Sequence, residues 1–326
     1  MSGPLPAITE PVAVLPVRRI GSIWRRMVAF VVDSFVIGAV ASLIAFPLFD
    51  VFSRLGAWGR LVGFAMALPY FAILNSEFGD GQTLGKHWLG LQVVDRDGLT
   101  ISFPKSVIRY AVLWIPFFVN QLPLPVSRTS PTVTLILLLL IFGLGGANVY
   151  LVVFNRNTRQ GLHDLAAGSY VVEAKVAGQV SVPPIWKTHW TILGVSFSIL
   201  FIVNVILVES VAHMGPLPQL LADARLVESM NGVQSAGIQD LHQRQLGVAG
   251  DRRILVINIL WMGKEEDESK FADSVAYAIL ENDPGAKDHD AMQIAIIHGF
   301  DLGIAHGNVT HRYVHSIDDW KARFGL

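Results

Sequence analysis

Asp33 is a carboxylate placed where water should not reach, inside the apolar stretch 28–49. A charge near the middle of a spanning helix costs several kcal/mol unless it is paired or hydrated, so it faces the interior of a helix bundle and marks either an ion path or a structural partner. Burial favours the neutral form of a carboxyl group, which would let one site exchange a proton for a hard cation, with Asn75, Glu77, Asn120 and Asn148 as further oxygen ligands. The structural alternative is an ion pair with Arg26, which lies seven residues earlier on nearly the same helical face. At about 1.5 Å per residue the gap is roughly 10 Å, a long reach even for arginine. The asparagines have a structural alternative as well, as hydrogen-bond partners between helices.

Two polar loops add charge. The run Gly81-Gln82-Thr83-Leu84-Gly85-Lys86 invites comparison with a phosphate-binding loop but fails its spacing, because Asp80 stands where the first glycine belongs and His87 follows the lysine. Its glycines suit turns, and Lys86, Lys105 and Arg109 are placed to meet anionic headgroups of the inner leaflet. Arg159, His163 and Asp164 follow another apolar stretch, where Asp164 could pair with Arg26 or Arg109 and lock the cytoplasmic face.

Seven of the ten histidines fall after residue 209, with His289, His298, His306, His311 and His315 clustered late. On a strand, His311 and His315 would lie about 13 Å apart, too far to share a metal, so these histidines read as surface residues and no metal is expected. The absence of cysteine removes disulfides, thiolate nucleophiles and Cys-ligated metals. No G-x-S-x-G or H-E-x-x-H motif occurs, and the chain reads as a non-enzyme without a cofactor. Its net charge of −1 points to no nucleic-acid partner.

The elements that must position these residues follow from composition. A chain of 326 residues that is 52% hydrophobic and 16% charged, with a mean hydropathy of +0.47, has too little polar surface to coat a soluble globule, so the lipid bilayer covers part of it. A spanning helix needs about 20 mostly apolar residues. Stretches 28–49, 132–154 and 190–208 meet this length, and the shorter 61–74 and 110–124 carry Pro69, Pro116 and Pro123. If all five cross, Arg18, Arg19, Arg25, Arg26, Lys86, Arg96, Lys105, Arg109, Arg156, Arg159, Lys175 and Lys187 share one side and Arg54, Arg60 and Arg128 the other. The positive-inside rule then places the N-terminus in the cytoplasm and the residues after Glu209 outside, as expected for a multi-pass protein of the cell membrane. Residues 1–16 carry prolines and Glu10 in place of a basic leader region and read as a cytoplasmic tail.

The C-terminal part reads as a small soluble α/β unit. An amphipathic stretch at 217–230 precedes the apolar run 254–260, which suits a buried strand. A helix follows the acidic run 265–268, with Phe271, Val275, Ala278 and Ile279 at helical spacing, and Asn282-Asp283-Pro284-Gly285 stops it. Runs 292–297 and 304–314 read as two further strands, and Ser316-Ile317-Asp318-Asp319 as the cap of a last helix.

The segment Trp24-Arg25-Arg26-Met27-Val28-Ala29-Phe30-Val31-Val32-Asp33 resembles the opening of RDD family membrane proteins, with Arg26 and Asp33 at the positions of the arginine and the first aspartate. The resemblance continues through Gly81 to Lys86, Gly90-Leu91-Gln92-Val93-Val94-Asp95, Gly98 and Arg109. It closes on Arg159-Gln160-Gly161-Leu162-His163-Asp164, where Asp164 matches the second aspartate. The resemblance implies a charged framework of Arg26, Asp33 and Asp164 and, from what is proposed for some members, cation/proton antiport with monovalent cations. The expected organisation is a tail at 1–26, a four-helix RDD-like domain at 27–172, a linker and fifth helix at 173–209 and an extracytoplasmic domain at 210–326. The competing reading is a membrane scaffold that does not transport and that presents the outer domain to an envelope protein or ligand. Gly143, Gly145, Gly146 and Ala147 would allow close helix contact within the chain or in a homo-oligomer.

Overall fold

The computed structural model describes residues 17–120, 122, 130–176, 178–211, 215–244, 251–263 and 267–326. Residues 1–16, Pro123, Arg128 and the acidic pair Glu265 and Glu266 therefore lie outside the described residues.

The membrane part is a helical bundle. Ser22 opens α1 (Ile23–Ala45), its hydroxyl accepting from the Arg25 amide, and the run of Val, Ile, Phe and Ala that follows has the length and apolarity to cross a bilayer. Ala29, Asp33, Ile37, Ala41 and Ala45 recur every four residues and form the buried stripe of α1, whereas Phe35 and Leu43 on the outer side are 79% and 76% exposed, as expected for side chains that face lipid. The short α2 (Phe49–Ser53) leads into α3 (Gly59–Leu74), and α4 (Leu84–Trp88) lies in the loop that returns to α5 (Phe103–Val119). The expected span 132–154 is α6 (Pro131–Leu138) and α7 (Gly145–Phe154), joined by a π-helical turn at Leu139–Leu144. After α8 (Leu162–Ala167) comes α9 (Lys187–Val211). Among the described residues, four helical segments are long and apolar enough to cross a membrane: Ile23–Ala45, Gly56–Leu74, Thr132–Phe154 and Lys187–Leu207. α5 has 17 residues and belongs to the same bundle, packed on α3 and α8. Pro69 and Pro116 sit inside continuous helices.

Two elements on the loop side of the bundle were hidden by their brevity. β1 (Leu91–Val94) and β2 (Tyr170–Glu173) pair antiparallel, which ties the loop after α4 to the chain after α8. Leu91, Val93 and Val171 then pack with Ala29 and Ala167 in a small core at this end of α1.

The C-terminal part is a four-stranded sheet in the order β3-β4-β5-β6, with helices on one face. α10 (Leu217–Glu228) precedes β3 (Val233–Arg244) and β4 (Asp251–Trp261), α11 (Glu268–Asn282) crosses over to β5 (Ala291–Asp301), and β6 (His306–Ser316) leads into α12 (Ile317–Phe324). β4 and β5 are parallel, as a helical crossover requires, and the other two pairings are antiparallel. Leu255, Ile257 and Ile259 of β4 and Met292, Ile294 and Ile296 of β5 alternate onto the face covered by Ala272, Val275 and Ile279 of α11 and Trp320 of α12. β3 is the strand that apolar patterning missed. It is an edge strand, only Val233, Ala236 and Ile238 of it touch the core, and its remaining side chains are polar or absent apart from the exposed Leu241.

The sheet does not stand apart from the bundle. The turn between β5 and β6 enters the end where α1 passes through α2 into α3, with the ring of Phe300 5.8–6.0 Å from those of Phe46, Phe49 and Phe52. Arg60 Nε donates to Asp301 Oδ2 at 2.8 Å, and Ile304 packs against both helical clusters that line α1.

Candidate functional site

The charged residues collect at the opposite end of the bundle. Asp33 is 1% exposed and three donors close on it: the Tyr70 hydroxyl at 2.7 Å and the Gly85 amide at 2.8 Å to Oδ1, and the Thr83 hydroxyl at 2.5 Å to Oδ2. Thr83 is also the cap of α4, accepting from the Lys86 amide, so Asp33 pins the start of that helix to the middle of α1. The approach needs a residue without a side chain. A Cβ on Gly85 would lie 2.3 Å from the carbonyl oxygen of Ala29 and 3.0 Å from Asp33 Oδ1.

Asp164 is fully buried and is held by both arginines that share its end of the bundle. Arg109 donates to Oδ1 from Nε at 2.9 Å and from Nη2 at 2.8 Å, and Arg26 Nη2 lies 3.2 Å from Oδ2. The Gly161 amide and the Ser169 hydroxyl complete the shell at 3.3 and 3.2 Å, and His163 Nε2 is 3.4 Å away. Burial alone would push the Asp164 carboxyl up, but His163, Arg109 and Arg26 hold it well below the usual carboxylate range. The second hydrogen of the Arg26 fork goes to the carbonyl of Arg159. Arg26 therefore serves Asp164 and not Asp33. Arg109, expected at a lipid headgroup, is 7% exposed and belongs to this ion cluster, because its guanidinium donates twice to a fully buried carboxylate. Lys105 is exposed, as a headgroup contact requires.

These residues surround one cavity of about 530 Å³ whose polar lining comprises Arg26, Asp33, Asn75, Lys86, Arg109, Asn148, His163 and Asp164. Of the four side chains expected to line a path, two do so. Asn148 Oδ1 accepts from the His163 amide at 3.2 Å and lies 2.8 Å from its Nδ1, which fastens α7 to α8, and Asn75 Nδ2 donates to the Phe71 carbonyl at 2.7 Å. Glu77 and Asn120 lie off the cavity: Glu77 accepts from the Phe103 amide at 3.5 Å, and the carbonyl of Asn120 accepts from Arg60.

The C-terminal domain gathers some of its histidines inside. Glu268, 2% exposed, sits between His298 Nε2 at 2.7 Å and His311 Nδ1 at 2.6 Å, and His289 lies 3.2 Å from Asp240. His289 and His298 are thus not the surface residues their type suggested; adjacent strands and α11 bring them to carboxylates far away in the chain. Among the described residues no group of three His, Cys, Asp or Glu side chains is arranged to hold a metal ion.

Residues 20–168 match the RDD family, and the C-terminal domain lies outside the match. No curated protein and no solved structure matches the chain.

Proposed function

With residues 20–168 an RDD-family membrane domain, we propose that its helices form a scaffold that holds the C-terminal α/β domain on the extracytoplasmic side and does not itself exchange cations for protons. The observation that carries this reading is the engagement of Asp33: three donors within the chain already close on its two oxygens. A hard cation would have to displace a hydroxyl, a phenol and an amide, and on the way it would meet Arg26, Lys86 and Arg109 in the same cavity. Asp164 offers no better site, because two guanidiniums compensate it. The basic residues support this orientation: those near the ends of α1, α4, α5, α7 and α9 lie toward one end of the bundle, and the sheet docks at the other.

Proteoliposomes that hold the purified protein and an internal pH dye test this reading. Addition of sodium, lithium or potassium outside is expected to leave internal pH unchanged for wild type and for Asp33→Asn alike. Cation-driven proton movement in wild type that vanishes in the variant would instead establish antiport through Asp33. Because the chain has no cysteine, Gln239→Cys on the exposed face of β3 places one label site on the C-terminal domain. It is expected to react with a membrane-impermeant maleimide from outside intact cells, and protection until the cells are opened would overturn the orientation.

A further inference from the structure

Lys86 is the charge at this site that the ion framework leaves over. Its ammonium has one hydrogen bond among the described residues, to the Thr83 hydroxyl at 3.2 Å, and no carboxylate partner. Burial and the neighbouring Arg109 pull its pKa down to about 7 against the opposing pull of Asp33 and Asp164. Three cationic side chains (Arg26, Lys86 and Arg109) face two carboxylates (Asp33 and Asp164) around the cavity, a surplus of one positive charge. Both carboxylates are engaged by other donors, and the Lys86 ammonium makes an ion pair with neither, so it is the cation of the three that is open to an added anion.

The rest of the cavity is apolar and opens sideways. Its walls include Met27, Phe30 and Val31 of α1 and Val149 and Val153 of α7, all exposed on the outside of the bundle where lipid lies. Trp114 of α5 forms part of the lining, with Phe30 stacked on it at 5.5 Å between ring centres. A volume of about 530 Å³ falls within the usual range of small-molecule sites, roughly 300–1,000 Å³. Basic pockets between membrane helices are a recurrent means of holding lipid headgroups. Here the charge is at the inner end of a groove that the bilayer can fill from the side.

We propose that this cavity binds an anionic phospholipid, with a singly charged headgroup on the ammonium of Lys86 and an acyl chain laid between α1 and α7. The headgroup supplies the missing counter-charge, and the exposed walls accept the chain without taking it out of an apolar medium. Asn75 Oδ1, buried and without a hydrogen-bond partner among the described residues, is available to a headgroup hydroxyl in the same cavity.

Native mass spectrometry of the full chain in neutral detergent tests the proposal with phosphatidylglycerol and with phosphatidylcholine as the zwitterionic control. Wild type is expected to retain one phosphatidylglycerol at concentrations where phosphatidylcholine does not bind. Loss of a charge-assisted contact in Lys86→Met should weaken that retention by about tenfold or more. Val152→Phe, which narrows the groove from α7 and leaves every charge in place, should weaken it as well. A Lys86 that merely supports the fold would make the lipid-free Lys86→Met protein melt lower, whereas removal of an uncompensated buried charge should leave its Tm unchanged or raise it. Equal retention of both lipids by wild type, or undiminished phosphatidylglycerol binding in both variants, would overturn the proposal. So would a thermal shift from inorganic phosphate as large as that from phosphatidylglycerol, because the site would then take a free anion and the acyl chain would count for nothing.

Discussion

Asp164→Ala is expected to destabilise the membrane domain by roughly 3–5 kcal/mol, the cost of leaving buried charge without its partner. The carboxylate is fully buried, and its removal strands the guanidiniums of Arg26 and Arg109 as well as the Ser169 hydroxyl and the Gly161 amide. The melting temperature of the detergent-solubilised protein should fall by on the order of 10 °C. The sign with pH is also fixed. A carboxyl whose folded pKa is depressed contributes stability that is present above its unfolded value and is lost only as pH falls through the folded one. Asp164 is held well below the usual range, so the gap between wild type and variant should stay constant from neutral pH down to about pH 5. Replacement of the whole cluster by Arg26→Met, Arg109→Met and Asp164→Leu together should recover most of the loss, since an apolar trio of similar volume leaves no buried charge uncompensated. A loss below about 1 kcal/mol for the single variant would place the ion cluster in water and not in the core.

That cluster was half legible in the sequence, and the reason is directional. Arg26 and Asp33 share a face of α1, so spacing alone aligns them, although roughly 10 Å apart at about 1.5 Å per residue. Helical side chains lean toward the N-terminus of their own helix, however, and Arg26 therefore reaches away from Asp33, toward the loop that carries Arg159 and Asp164. The oddity of Asp33 could be read from one residue in an apolar run, because the cost of a lone charge does not depend on the fold. Its partners could not. Tyr70, Thr83 and Gly85 come from another helix and from a loop that the β1–β2 ribbon helps hold in place, and no short-range pattern announces such a meeting. The spans were legible because about 20 apolar residues have few other uses. β3 was not, because an edge strand buries little and its sequence alternates weakly. His298 on Glu268 and His289 on Asp240 were misread for a related reason: which elements pack together is set by the fold, which sequence spacing along one strand does not contain.

The largest feature absent from the sequence is the seating of the β5–β6 turn in the bundle, and its disruption should have the second large effect. Leu302-Gly303-Ile304 reads as an ordinary connection, yet Leu302 is fully buried and its carbonyl lies over Gly63 of α3. A Cβ at Gly63 would stand 1.8 Å from that oxygen and 2.7 Å from its carbon, both backbone atoms that cannot swing aside. Gly63→Val should therefore expel the turn, while valine remains compatible with the helical backbone of α3. Hydrogen exchange is the appropriate readout. The Leu302 amide donates to the Ala305 carbonyl and the Gly303 amide to Asp301 Oδ1, and both should exchange at least about tenfold faster once the turn is free. Phe300→Ala tests the same docking without a clash. It removes the ring that meets Phe46, Phe49 and Phe52, a truncation that typically costs about 3–5 kcal/mol in a packed core. Part of that cost should appear as faster exchange at the turn, with the sheet core around Ile257 and Ile294 still protected. Unchanged exchange in both variants would mean that the domain is tethered by α9 alone. Faster exchange confined to the turn would establish a rigid joint, through which any ligand that shifts the sheet also pushes on α1 and α3.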